Sequence, residues 1–212
     1  MTSRAAVPTI FRGIYGIVDR SVTDEPLALL EALLVAGVRV VQYRAKAGVD
    51  PNVVRAMHAV TRARGALLVV NDDLACALEA DGLHVGQEDL AEHDPASIRA
   101  TLGSRILGIS CGVPEEALAA ERFGADYVGV GPYAATGTKA DAGEAIGEAG
   151  VRAVVVATRL PVVAIGGIDA GNLPGVARSG ASMAAVISAI ARAADPASAA
   201  RDLVARWDAL DR

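Results

Sequence analysis

Eight short apolar runs, each followed by an Ala-rich stretch of helical character, recur along the 212 residues of this chain. The runs fall at 14–18, 38–43, 66–70, 83–85, 106–109, 127–130, 162–165 and 184–187. The helical windows fall at 26–36, 52–64, 73–79, 95–101, 114–123, 150–158 and 170–179, with a last one from about 188, broken near Pro196, to 210. Several windows open on Pro or Asp-Pro (Pro114, Asp94–Pro95, Asp195–Pro196), a helix-start signal because Pro has no N–H to leave unsatisfied there. Strands separated by helices pair in parallel, since parallel neighbours need a crossover connection. A count of eight predicts an α/β fold with a single (β/α)8 TIM barrel over 1–212, with 1–12 as a flexible or short N-terminal extension.

Composition agrees with that architecture. Hydrophobic residues make up 52% of the chain but aromatics only 3%, so the core must be built from small and branched aliphatic side chains. Lys and Arg total 20 against 25 Asp and Glu, a net charge of −5 without a basic run, which argues against nucleic acid as a partner. Cys76 and Cys111 lack metal-ligand spacing and read as reduced thiols. No segment has the roughly 18–20 continuous apolar residues of a membrane span. Residues 1–12 lack the apolar centre of a secretory signal, which together predicts a cytoplasmic protein without a membrane partner. A homo-oligomer is compatible with a barrel of this size.

In such barrels the active site forms at the C-terminal ends of the strands. Polar residues collect there: Asp19 after the first run, Gln42, Arg44 and Lys46 at the second, Asn71 and Asp72 after the third, Gln87 and Asp89 after the fourth. Ser110 follows the fifth, Thr136, Thr138 and Lys139 the sixth, Gly166 and Gly167 the seventh, and Ser188 the eighth. Asp72 and Asp89, on adjacent strand ends, offer oxygen ligands to a hard cation such as Mg²⁺. Arg44, Lys46 and Lys139 suit phosphate oxygens, Arg44 in a two-pronged clamp. Gly166–Gly167 and Ser188–Ala189 follow the two strands where barrels often bind a phosphate on backbone N–H groups. The set suggests substrates carrying a diphosphate and a monophosphate. No nucleophile stands beside a general base, so a covalent intermediate is not indicated.

Simpler structural roles compete for each residue. Asp72 lies where an Asn or Asp often caps a helix, and Asp89 could be a turn residue. The glycine pair could be a tight turn, and Lys46 and Lys139 solvated loop charges. His84, inside the fourth run, reads as a packed barrel residue with a satisfied ring, His58 and His93 as surface residues, and Trp207 as a packing anchor.

The ordered motifs resemble those of the thiamine phosphate synthase family. They are Gln42-Tyr43-Arg44-Ala45-Lys46, Asn71-Asp72-Asp73, 82–90 with its His84 and Asp89, 106–110 ending in Ser110, 126–132, Thr136-Gly137-Thr138-Lys139, 161–168 and 187–190. The resemblance runs from about Tyr15 to Ile190. It implies condensation of a hydroxymethylpyrimidine diphosphate with a thiazole phosphate through a pyrimidine methylene cation. It further implies that Gln42, Tyr43, Arg44, Ala45, Lys46, Asn71, Ser110 and Lys139 contact the pyrimidine diphosphate. Arg44, Ser110 and Lys139 would be catalytic, and Asp72 and Asp89 would hold Mg²⁺. Thr136, Gly137, Thr138, Gly167, Ile187 and Ser188 would bind the thiazole phosphate, and the segment 133–150 would close over the mouth as a lid.

The chain departs from the family pattern at Ala135, where proline is usual, at Gly112, near which a histidine is common, and at Ser182-Met183 in place of Asp-Gly. The last places a bulky side chain near the start of the eighth strand, where any crowding of the phosphate nest would weaken thiazole binding. Three other readings compete: a thiazole tautomerase of the same fold, a non-catalytic regulator that binds thiazole or thiamine phosphate, and another phosphate-binding barrel.

Overall fold

Eight parallel strands close into a barrel in chain order, β1 pairing with both β2 and β8. The architecture comes from a computed structural model that describes residues 10–87, 90, 95–137 and 143–210. The strands are β1 Gly13–Asp19, β2 Val40–Arg44, β3 Leu67–Asn71, β4 Gly82–Val85, β5 Ile106–Cys111, β6 Tyr127–Val130, β7 Val162–Ile165 and β8 Met183–Val186. The helices among the described residues are α1 Pro26–Val35, α2 Pro51–Ala63, α3 Leu74–Ala77, α4 Pro95–Leu102, α5 Pro114–Arg122, α6 Gly147–Ala157, α7 Leu173–Arg178, α8 Ser188–Ala191 and α9 Pro196–Leu210. None of them is long and apolar enough to cross a membrane.

The helix starts follow the chain's own chemistry. Asp50 accepts from Asn52 N–H at 2.8 Å ahead of Pro51, and Asp195 accepts from Ser198 N–H at 2.9 Å ahead of Pro196. The helix predicted over 170–179 begins only at Leu173, because Asp169 accepts from Gly171 and Asn172 N–H in a local turn.

Alternation along each strand separates two cores. Outward residues such as Val18, Val41, Leu68 and Leu83 pack with Leu30, Leu33, Met57 and Trp207 in the layer between barrel and helices. Inward residues, among them Tyr15, Ile17, Val40, Val69, Tyr127 and Val163, fill the barrel itself. Each of the large aliphatics buried in either layer contributes about 2 kcal/mol.

Of the two readings of the N-terminal stretch, residue 11 fits the short lead into β1, since Phe11 is 3% exposed and plugs the barrel floor with its ring 5.3 Å from that of Tyr127. Met183 does not crowd the phosphate nest. It begins β8, beside Gly13 and Val163, and points inward at the floor, the opposite end of the barrel from the mouth.

Candidate functional site

The register of β1 on β2 sets Asp19 beside Arg44 at the C-terminal rim. Their side chains form an ion pair between Arg44 Nη1 and Asp19 Oδ2. Asp19 is 1% exposed and also accepts from Ser21 N–H at 2.8 Å, so the carboxylate is fixed from two sides. The pair holds the guanidinium at the mouth and leaves Nε and Nη2 outside that bond, suited to an anion. In the sequence Asp19 was only one of several polar strand ends, without a role; pairing residues 25 positions apart needs the register. Lys46 lies exposed in the turn beyond β2, where Gly48 N–H donates to Ala45 C=O at 3.0 Å.

Alternation sends Gln42 and Arg44 inward but Tyr43 and Ala45 outward, where both are buried in the layer beneath the helices. Their side chains therefore take no part in the mouth, and only their backbone can face a substrate.

After β3 the chain turns at Asp72, which has φ 64, the one non-glycine with positive φ among the described residues. A left-handed aspartate costs about 1–2 kcal/mol and needs a compensating cause. Helix capping is not that cause: Asp73 performs it, accepting from Cys76 N–H at 2.8 Å. Asp72 instead stands exposed at the strand end, anchored by its N–H to His84 C=O at 2.9 Å, with its carboxylate accepting from the Asn71 amide. No group of three or more His, Cys, Asp or Glu among the described residues is arranged to hold a metal. An oxygen donor such as Asp72 suits Mg²⁺, which commonly takes one or two carboxylates and keeps several waters. Asp89, Thr138 and Lys139 lie outside the described residues, as does His93.

The opposite rim is built from two interlocked loops. Tyr133 and Ala134 N–H donate to Ile165 and Gly166 C=O at 2.7 and 3.0 Å. Gly167, with φ 62, lies so close to this loop that a Cβ would meet Ala135 O at 2.6 Å, and its own carbonyl accepts from the Asn172 amide at 2.7 Å. Only glycine satisfies both the conformation and the approach. Thr136 is half-buried and Gly137 exposed in the same loop. Ile187 and Ser188 open the short α8 that follows β8. The segment predicted as a lid is tied at both feet, since Ile146 N–H donates to Pro132 C=O and Gly147 N–H to Tyr133 C=O. Within that segment, 138–142 lie outside the described residues.

A polar column occupies the barrel interior. Gln42 Nε2 donates to the Tyr15 hydroxyl at 3.2 Å, and the Tyr15 and Tyr127 hydroxyls are 2.8 Å apart. Tyr127 lies 2.9 Å from His84 Nδ1, and His84 Nε2 lies 3.0 Å from Ser110 Oγ at the end of β5. Ser110 C=O accepts from the Gln87 amide. Burial pushes both phenols well above the ordinary tyrosine value, so they remain protonated. His84 is the satisfied ring expected from sequence, whereas Tyr15 and Tyr127 carry only a weak sequence signal, a tyrosine at an inward strand position where its hydroxyl must find a partner. Cys111, next to Ser110, is 4% exposed, and burial raises its thiol to about 12, which fits an inert packing residue.

Residues 14–190 match the family model described as thiamine monophosphate synthase. The chain belongs to the thiamine monophosphate synthase family. It is by that membership an enzyme, a transferase of thiamine biosynthesis. The thiamine-phosphate synthase of Moorella thermoacetica is 48% identical over 184 residues, covering 84% of this chain and 86% of the relative. That of Archaeoglobus fulgidus is 44% identical over 199 residues, covering 92% of each. Among solved structures, the thiamine phosphate pyrophosphorylase from Pyrococcus furiosus superposes with a TM-score of 0.86 at 32% identity, over 95% of this chain and 98% of its own. Set against this synthase family, the departure at Met183 lies on the floor. The one at Gly112 sits in a turn where its N–H donates to Glu116 Oε2 at 2.6 Å.

Proposed function

We propose that this chain condenses a hydroxymethylpyrimidine diphosphate with a thiazole phosphate, giving thiamine phosphate and pyrophosphate. The methylene C–O bond breaks first, its electron pair leaving with pyrophosphate. The thiazole nitrogen then donates its lone pair to the pyrimidine methylene cation. The observation that carries this reading is Asp72, held in a strained left-handed turn at the mouth while Asp73 takes over the capping duty. Strain kept at an exposed carboxylate supports a functional demand on it.

Arg44, pre-oriented by Asp19, and Lys46 and Lys139 face the diphosphate and stabilise the charge that grows on it as it departs. Removing one such contact raises the barrier by about 3 kcal/mol. Asp72 with Asp89 would hold Mg²⁺, which when bound spreads charge over the leaving pyrophosphate. Gln42, Asn71 and Ser110 orient the pyrimidine, with the backbone at Tyr43 and Ala45 bordering it. Thr136, Gly137, Thr138, Gly167, Ile187 and Ser188 hold the thiazole phosphate. Bringing the two rings together removes much of the entropic cost of their encounter. The stretch between Ala134 and Ile146 excludes water that would otherwise trap the cation as an alcohol.

The test is formation of thiamine phosphate and pyrophosphate from the two synthetic substrates, with Mg²⁺ and with chelator, for wild type and Asp72→Ala. Metal-dependent turnover that collapses in the variant supports the reading. A folded wild type that forms no product overturns it.

A further inference from the structure

The buried column from Gln42 to Ser110 has a direction, and the direction decides what Ser110 can offer a substrate. Each phenol and the serine hydroxyl carry one proton, and a neutral imidazole carries one proton on two nitrogens. The Gln42 amide donates to Tyr15, so the Tyr15 oxygen is an acceptor there, and the acceptor within reach of its own proton is Tyr127 at 2.8 Å. Tyr127, accepting from Tyr15, donates to His84 Nδ1 at 2.9 Å. With one ring proton, that order puts the lone pair on Nδ1 and the proton on Nε2, where it faces Ser110 Oγ at 3.0 Å. Ser110, satisfied as an acceptor from below, turns its own proton outward to the mouth. The reverse order would start from the serine proton and make Tyr15 accept from both Tyr127 and the Gln42 amide, leaving its own proton without an acceptor in the column.

The fold makes room for this column. Asn71, His84, Gly108 and Tyr127 stand side by side in the register of β3, β4, β5 and β6. Gly108 has no side chain where the two rings meet, and a Cβ there would come within 2.5 Å of His84 Nδ1 and collide with the Tyr127 ring. Tyr15, Tyr127, Gln42 and His84 are each 8% exposed or less, so bulk water does not relay or scramble the order.

We propose that Tyr15, Tyr127 and His84 are positioning residues that fix the polarity of this chain, so that Ser110 meets the substrate as a hydrogen-bond donor. The substrate atom it serves is an acceptor, a diphosphate oxygen or a pyrimidine ring nitrogen. The assignment of that substrate rests on the synthase reading above; the polarity of the chain does not.

The experiment is NMR of the full chain with ¹⁵N-labelled histidine, followed by kinetics. The chain has three histidines, so the His84 ring is assignable with one His84→Gln control. Wild type shows His84 as the Nε2–H tautomer without any substrate, and Tyr127→Phe, which cuts the donor to Nδ1, yields a mixture of tautomers. Tyr127→Phe lowers kcat about tenfold, while KM for the pyrimidine diphosphate stays within about twofold. On a Ser110→Ala background the same change costs less than about twofold, because its effect acts through the serine. A wild-type Nδ1–H tautomer overturns the proposal, as does a Tyr127→Phe loss that multiplies undiminished with that of Ser110→Ala. Absence of product from wild type would instead overturn the synthase reading and leave the tautomer result standing.

Discussion

Arg44 on β2 pairs with Asp19 on the adjacent β1, whose carboxylate is 1% exposed, and the two are direct neighbours in the β1–β2 ladder. The arginine is therefore part of the rim's structure as well as a cation facing the mouth. Arg44→Ala leaves Asp19 buried and uncompensated and is expected to cost about 3 kcal/mol in denaturant melts. The Asp19→Ala/Arg44→Ala double variant should lose clearly less than the sum of the singles. Asp19→Asn keeps the shape but frees the guanidinium, and kcat/KM for the pyrimidine diphosphate should fall about tenfold. Additive stability losses in the double variant would show that the pair is not coupled.

The left-handed turn at Asp72 separates stability from activity. Asp72→Gly relieves the strain at φ 64 and Asp72→Ala keeps it, so the glycine variant should be the more stable of the two by about 1 kcal/mol. For a chain of this size that is a difference of roughly 2–4 °C in Tm. Both variants should lose synthase turnover. Equal melting temperatures would mean that residue 72 is not strained in solution.

Glycines in the barrel wall should rank by the space beside them. Gly108→Ala drives a methyl against the Tyr127 ring and His84 Nδ1 and is expected to cost about 3 kcal/mol. Gly129→Ala places its Cβ 3.1 Å from His84 Cε1, a contact relieved by a small shift, and should cost about 1 kcal/mol. Thermal melts of the two variants in the opposite order would contradict the packing described for the column.

Alkaline pH should weaken the fold through buried acids. Cys111, Cys76, Tyr15 and Tyr127 all titrate above their ordinary values because burial disfavours the charged form. A group raised on folding contributes its full stability below the unfolded value and loses it as pH climbs through the folded one. For Cys111 that window runs from 9.0 to about 12. Tm should hold steady below pH 9 and fall above it, and Cys111→Ala should make the decline shallower. In the native state neither thiol should react with iodoacetamide at pH 8, whereas both should react in denaturant.

The barrel was legible because its signal is repeated: β-branched runs and Ala-rich windows give both the layers and their order. Asp72 was legible as a strand-end carboxylate, but its backbone strain and the transfer of capping to Asp73 appear only with dihedral angles. Tyr43 and Ala45 belong to the family motif, yet the alternation of β2 turns their side chains away from the mouth. Met183 was legible as a residue at the start of the eighth strand, but that it faces inward at the floor, clear of the phosphate nest, appears only with the register of β8. The Tyr15–Tyr127 contact joins positions 112 apart, and no local pattern encodes which inward residues of β1 and β6 meet.

Closure of β1 on β8 ties the start of the chain to its end, with Gly13 beside Met183 and Gly16 beside Val186. A ribosome releases the first strand long before the eighth exists. Until then the growing sheet carries two raw edges, each able to pair with another nascent chain. Contacts of such long sequence separation form slowly, so the protein's exposure to aggregation is concentrated in the interval between synthesis of β7 and docking of β8.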